Sequence, residues 1–190
     1  MKYDEIYYKA ISHDETSTIS WGDNSYDTTE FNAQVPIEVD RMLYMKIKDN
    51  RKPLLGDFHS SPKPVFIQRA KEIIEQFSLI GNQFFPVTIT HKDSEFKDYF
   101  ILNCHNEVMA MHRERSKFQE EGLMYFIDSL SLDESVLDKI PEEERMIFVL
   151  EEKASMILYH EKIVKALEAA NITGVRFKKV KSWNIGSAFD

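Results

Sequence analysis

Between residues 84 and 130 four short apolar runs follow one another: FFPVTITH (84–91), DYFILNC (98–104), EVMAMH (107–112) and GLMYFIDSL (122–130). Each has strand length and is bounded by polar turn residues, a pattern that a long helix cannot satisfy. This series limits the fold more than any other feature, because it demands a sheet built largely from successive strands. MIFVL (146–150) and SMILY (155–159) read as one more hairpin, and EIYYKAI (5–11) and MLYMKIK (42–48) as further strands. Two segments switch to a helical period. Ile67, Ala70, Ile74 and Phe77 share one face, as do Ile163, Ala166, Leu167 and Ala170, which predicts helices over about 67–78 and 160–170. Gly81 closes the first segment. Asn171 and Gly174 end the second, since both tolerate left-handed backbone, and Val175 to Val180 makes a last strand. The expected class is α+β: a mostly antiparallel sheet with the two helices packed on it.

The chain of 190 residues reads as a single domain, 1–190, with an acidic N-terminal part at 1–63 and a core at 64–182. The connector between them is RKPLLGDFHSSPKP (51–64), rich in proline. HDETSTIS and WGDNSYDTTEFN, in the acidic part, read as turns or long loops. A composition of 43% hydrophobic residues can bury a sizeable core. The net charge of −8 argues against a general phosphate-binding surface and suits a basic partner. One cysteine cannot form an internal disulfide, the opening MKYDEIYYKAISHDE lacks the apolar run of a signal peptide, and no run approaches the roughly 18 residues of a membrane span. The expectation is a cytoplasmic protein with no membrane partner.

Catalytic chemistry is hard to assemble from these residues. Cys104-His105 is the most reactive-looking pair, yet along a strand Cys104 shares a face with Phe100 and Leu102, and His105 with Tyr99, Ile101 and Asn103. Cys104 therefore reads as a buried thiol. His13, His59, His91, His105, His112 and His160 form no H-E-x-x-H motif, and no nucleophile elbow, phosphate loop or dinucleotide fingerprint is present. No catalytic, cofactor or metal residues are predicted. His160-Glu161 reads as helix-start chemistry, and Asn103 as a residue that ends its strand by bonding nearby backbone. The basic run RFKKVK (176–181) alternates like a half-exposed edge strand, so nucleic acid is not an expected partner. Glu142, Glu143 and Glu144 read as a solvated turn or a contact for a basic partner. Trp21, Tyr26 and Trp183, in polar or terminal stretches, are either loop anchors or interface hot spots. The expected partner-binding set is Trp21, Asp23, Tyr26, Asp27, Glu142, Glu143 and Trp183.

The order PVFIQRAKEIIEQF, FFPVTIT, DYFILNCHNEVMAMHRERS, then IFVLEEKASMILYHEKIVKALEAANITGVRFKKV resembles the immunity-protein families of bacterial polymorphic-toxin systems, in particular the group called immunity protein 43. The matching positions are Pro86, Val87, Tyr99, Leu102, Asn103, Ser116, Phe148, Thr173, Gly174 and Phe177, within roughly residues 64–180. The resemblance implies a small cytoplasmic protein that binds and blocks a cognate toxin, a basic one if the charge is matched, and it carries no catalytic signature. Two alternatives stand beside it. One is a small hydrolase or transferase whose dispersed His, Glu and Asp residues assemble in a pocket holding two of His91, His105 and His112 beside a carboxylate. The other is a nucleic-acid or scaffold module using RFKKVK.

Overall fold

The chain opens with a helical turn, α1 (Lys2–Ile6), that runs directly into β1 (Tyr7–Ser12). The strands β2 (Ile19–Trp21) and β3 (Leu43–Ile47) flank a 3-10 segment at Thr28–Asn32. β4 (Phe58–His59) and β5 (Val65–Ile67) lead into α2 (Gln68–Ile74), followed by the long hairpin of β6 (Asn82–His91) and β7 (Ser94–Cys104). Next come β8 (Glu107–Val108), the hairpin β9 (Lys117–Glu121) with β10 (Met124–Ser129), and the turn α3 (Glu134–Leu137). β11 (Ile147–Leu150), β12 (Ile157–His160), α4 (Glu161–Ala169) and β13 (Val175–Lys179) complete the chain. The structure is a computed structural model and describes residues 1–13, 15–23, 27–49, 51–122 and 124–188.

These elements form an α+β fold with two main sheets. One has the order β13-β1-β12-β11-β8, the other β2-β3-β6-β7-β5-β4, and β9 and β10 pair separately. Most ladders are antiparallel, as expected, but β3 runs parallel to β6 and β8 parallel to β11. Parallel neighbours need a long crossover. The segment holding β4, β5 and α2 supplies it for the first pair, and the segment holding β9, β10 and α3 for the second. Residues before and after the 51–64 connector share both sheets: β1 lies between β12 and β13, while β3 lies beside β6.

The two helices pack together in the seam between the sheets rather than on one of them. Ala70 and Ile74 of α2 and Ile163, Val164 and Leu167 of α4 join Phe58, Phe66, Leu102, Cys104, Val149 and Tyr159 in one core. The outer face of the five-stranded sheet packs under α1, α3 and β10 through Tyr3, Tyr7, Leu137, Phe148 and Leu158. The outer face of the six-stranded sheet carries Leu43, Met45, Val87, Ile89 and Ile101, closed by Phe31 and Ile37. Tyr99 and Ile101 thus face one core while Leu102 and Cys104 face another, which is the alternation expected of a strand.

Three expectations need correction. EIYYKAI is not a strand from residue 5: the first turn is helical, fixed by the buried Asp4 carboxylate, which accepts from Leu132 N at 2.7 Å and Ser131 Oγ at 2.8 Å. The connector 51–64 is not only a linker, because Phe58 is fully buried and stacks on Phe66 at 4.1 Å. Asn103 does not cap a turn locally. It lies inside β7, 1% exposed, and its Nδ2 donates to Gln83 Oε1 and to the distant Val35 carbonyl, both at 3.0 Å.

The seam is pinned at a junction of loops. Asp57 accepts from Arg69 Nη2 at 2.5 Å, Thr173 Oγ1 at 2.7 Å and Thr173 N at 2.9 Å; burial opposes its charge, yet these donors hold the carboxyl below its usual range. Gly174, with φ of +87°, lies so close that a Cβ would stand 2.6 Å from the Phe58 oxygen and 2.7 Å from Gly56 Cα. Only glycine fits there. The buried His59 accepts from Gly56 N at 3.2 Å, and burial pushes its imidazole down to about 4. The expected helix-start role of His160 is met by its ring: Nδ1 accepts from Lys162 N at 3.2 Å.

Candidate partner-binding surface

The seven residues expected to bind a partner occupy several separate places. Trp21 lies on β2, an edge strand of the six-stranded sheet, half-buried with its ring 5.4 Å from Phe31. Asp23 is exposed, and Tyr26 lies outside the described residues. Asp27 caps the 3-10 segment, accepting from Thr29 N at 3.0 Å and Thr29 Oγ1 at 2.6 Å, bonds that hold its carboxyl below the usual range. Glu142 pairs with Lys162, while Glu143 is exposed and gives its backbone oxygen to Ile80 N. Trp183 packs against the core under the five-stranded sheet. Trp21 and Trp183 therefore pack against different cores.

A more convergent surface lies where β8, the β9–β10 hairpin and the β11–β12 turn meet. A cleft of about 550 Å³ is lined by Met109, Tyr125, Glu114, Asp133, Glu151 and Glu152, among others. The lining carries four carboxylates against one guanidinium, Arg113, which is already engaged. Arg113 donates to Glu120 at 2.6 Å and to Tyr125 Oη at 3.0 Å, and its guanidinium lies 5.4 Å from the ring centroids of Phe118 and Tyr125. This clamp fixes the Tyr125 wall.

The floor is unusual in its carboxylates. Glu152 Oε1 accepts from Met111 N at 3.0 Å, while its Oε2 is buried with no hydrogen-bond partner. Burial raises its carboxyl above the usual value, and Glu151 beside it adds to the shift. Burial and Glu151 likewise raise Glu107. Glu151 and Glu107 stand at the surface beside the half-buried Glu152, and like charges so close make each other costly, so a cation arriving here would ease their repulsion. At the rim Met109 is 60% exposed, a flexible apolar side chain able to adapt to a partner's surface. Met109, Tyr125, Glu151 and Glu152 were not singled out from the sequence. Only the E-E of LEEK, at a turn between two strands, carried a signal.

The rival chemistries find little support in the geometry. Cys104 is buried in the seam, its thiol pushed up to about 12 by that burial, and Sγ contacts the Ile147 oxygen at 3.8 Å. A thiol held so far from ionisation is a poor nucleophile. Of His91, His105 and His112, only His112 lines the acidic cleft; His91 Nε2 instead meets the Asp49 carbonyl at 2.8 Å. Among the described residues no group of three His, Cys, Asp or Glu side chains is placed to hold a metal ion, and no helix is long and apolar enough to cross a membrane. The basic strand β13 is an edge strand, as expected, and Lys179 and Lys181 are both paired with Glu5, at 3.2 and 2.5 Å.

Comparison with known families places a match over most of the chain. The model of an immunity protein family (Imm11) matches residues 30–182. The match begins well before residue 64, where the resemblance in sequence motifs started, and takes in Phe31, β3 and the connector. The broad assignment to immunity proteins of toxin systems holds, and the matched family is Imm11 in place of immunity protein 43. No curated protein matches the chain.

Proposed function

The chain belongs to the immunity protein family (Imm11), and on that premise we propose that it binds a cognate bacterial toxin and neutralises it as a stoichiometric complex, without catalysis of its own. In this reading the protein acts in the cytoplasm of the producing cell, as part of a polymorphic-toxin system. Residues 1–63 act as one unit with the rest, a view supported by the insertion of β1 between β12 and β13.

The toxin-facing surface in this proposal is the acidic cleft, and the occupant is a lysine- or arginine-bearing segment of the toxin. The observation that carries it is the set of four carboxylates around an exposed methionine and a clamped tyrosine. Apolar anchors ringed by complementary charge are how protein interfaces gain both affinity and partner choice. The net charge of −8 adds a long-range attraction to any basic partner. The test is calorimetric titration against the toxin encoded beside this gene. A saturable complex, weakened by salt and by the pair Glu114→Lys and Glu151→Lys, supports the reading. A complex indifferent to both moves the interface elsewhere, and no complex at about 10 μM removes the function.

A further inference from the structure

On another part of the molecule the local charge is reversed. β1 pairs with β13 from Tyr8 to Ser12 but with β12 only from Tyr7 to Lys9. Beyond Lys9 the sheet therefore has a notch on the β12 side. The segment after β4 closes it, with Ser60 Oγ 2.7 Å from Ser12 Oγ. A cavity of about 270 Å³ and an adjoining one of about 710 Å³ open here, and they share Lys9, Ala10, Ser60, Pro62 and Ser155. The smaller one extends to Lys63 and Tyr159.

Among the described residues no aspartate or glutamate lines either cavity, in a chain where acidic residues outnumber basic ones by 32 to 24. Among the described residues neither Lys9 nor Lys63 has a carboxylate partner, and the one bond that Lys9 Nζ makes is to the Ser155 oxygen at 3.4 Å. Burial, with Lys153 nearby, pushes the Lys9 ammonium down to about 8, and burial lowers Lys63 as well. Partly desolvated ammonium groups without a counter-charge are unfavourable, and an anion would correct that. An independent observation points the same way. Tyr159 is 1% exposed, lines the smaller cavity, and its buried hydroxyl has no hydrogen-bond partner. Orphaned buried donors are rare and costly, and call for an acceptor.

We propose that this notch binds a small oxyanion free in solution, a phosphate- or carboxylate-bearing molecule, with Lys63 and Lys9 balancing its charge and the Tyr159 hydroxyl donating to one of its oxygens. The site is separate from the toxin reading. Its charge is opposite to that of the acidic cleft, and Lys9 lies outside the matched residues 30–182.

The test is a titration of the full chain, followed by amide chemical shifts, with inorganic phosphate and with succinate in parallel; sodium chloride at matched ionic strength is the control. Saturable shifts at residues 9, 60–64 and 155–159, with a Kd below about 1 mM, are expected for at least one of the two anions and not for chloride. The tighter of the two names the ligand's acidic group. Lys63→Met should weaken binding about tenfold, and Tyr159→Phe, which keeps the ring, by several-fold; Lys63→Arg should retain it and controls for folding. Responses no larger than with chloride, or affinity unchanged in both Lys63→Met and Tyr159→Phe, would overturn the proposal.

Discussion

The acidic cleft and the lysine notch are two openings in one small protein, built from opposite charges. The cleft gathers Glu114, Asp133, Glu151 and Glu152 beside an exposed Met109, whereas the notch gathers Lys9 and Lys63 with no carboxylate among the described residues. The cleft is wide and rimmed by an apolar side chain, so it suits a segment of a protein. Within the notch, the cavity that Lys63 and Tyr159 line measures about 270 Å³, which has room for a small molecule and little more. The difference teaches that a net charge of −8 says what the molecule attracts at long range, not what each opening accepts at contact.

The comparison can be broken at several depths. The deepest is the loop junction at Gly56, Asp57 and Gly174, which leads into the notch segment and lies outside the cleft lining. Gly174→Ala forces a side chain into left-handed backbone and against the Phe58 oxygen and Gly56. It should cost about 4 kcal/mol, read as a loss of melting temperature and of denaturant midpoint, and disturb the notch through the adjoining 56–64 segment. A midpoint within error of the parent would show that the backbone at Gly56 and Phe58 yields to the added methyl at little cost.

Acid should act nearly as strongly. The folded pKa of His59, about 4, lies below the ordinary value of 6.5, so the unfolded chain binds the extra proton first. Its contribution is therefore intact above about pH 6.5 and lost as the pH falls towards 4, by roughly 3 kcal/mol in full. His160, lowered by burial and needed neutral to accept from Lys162 N, acts in the same direction. Denaturant melts at pH 7 and pH 5 measure the drop, and His59→Gln should flatten it. An unchanged slope in that variant would assign the acid sensitivity to other groups.

Charge reversal separates the two openings directly. Glu114→Lys with Glu151→Lys should weaken toxin binding by about 2 kcal/mol, more at low salt, and leave oxyanion binding at the notch unaltered. Coupled losses at both sites would mean that one field governs the whole surface. The smallest effect is expected outside both openings: Asp27→Ala removes the cap on the 3-10 segment, costing about 1 kcal/mol of stability with no change in toxin affinity. A loss of affinity there would restore the acidic N-terminal loops as part of the interface.

Legibility in the sequence followed the range of the interactions involved. The hairpin of β6 and β7, the hairpin of β11 and β12, and α4 with Asn171 and Gly174 at positive φ were readable, because their signals are periodicity and turn chemistry within a few residues. α1 was not, since its five residues are fixed by Asp4 reaching Ser131 and Leu132 across the chain. The parallel ladders, and the reach of Asn103 to Val35, are likewise set by tertiary neighbours. The expected partner residues followed composition; Asp27 proved to hold a local cap, and Glu142 an ion pair with Lys162 on α4. Both openings draw on residues far apart in sequence, such as Met109 with Glu151, or Lys9 with Lys63 and Tyr159, so neither leaves a motif.

The most direct measurement of the central claim is calorimetric titration of the toxin encoded beside this gene with the parent protein, the Glu114→Lys and Glu151→Lys pair, and Lys63→Met. The account predicts a one-to-one complex with a Kd below about 1 μM for the parent and for Lys63→Met, weakened at least tenfold in the double reversal. No complex with the parent, or equal affinity in all three proteins, would contradict it.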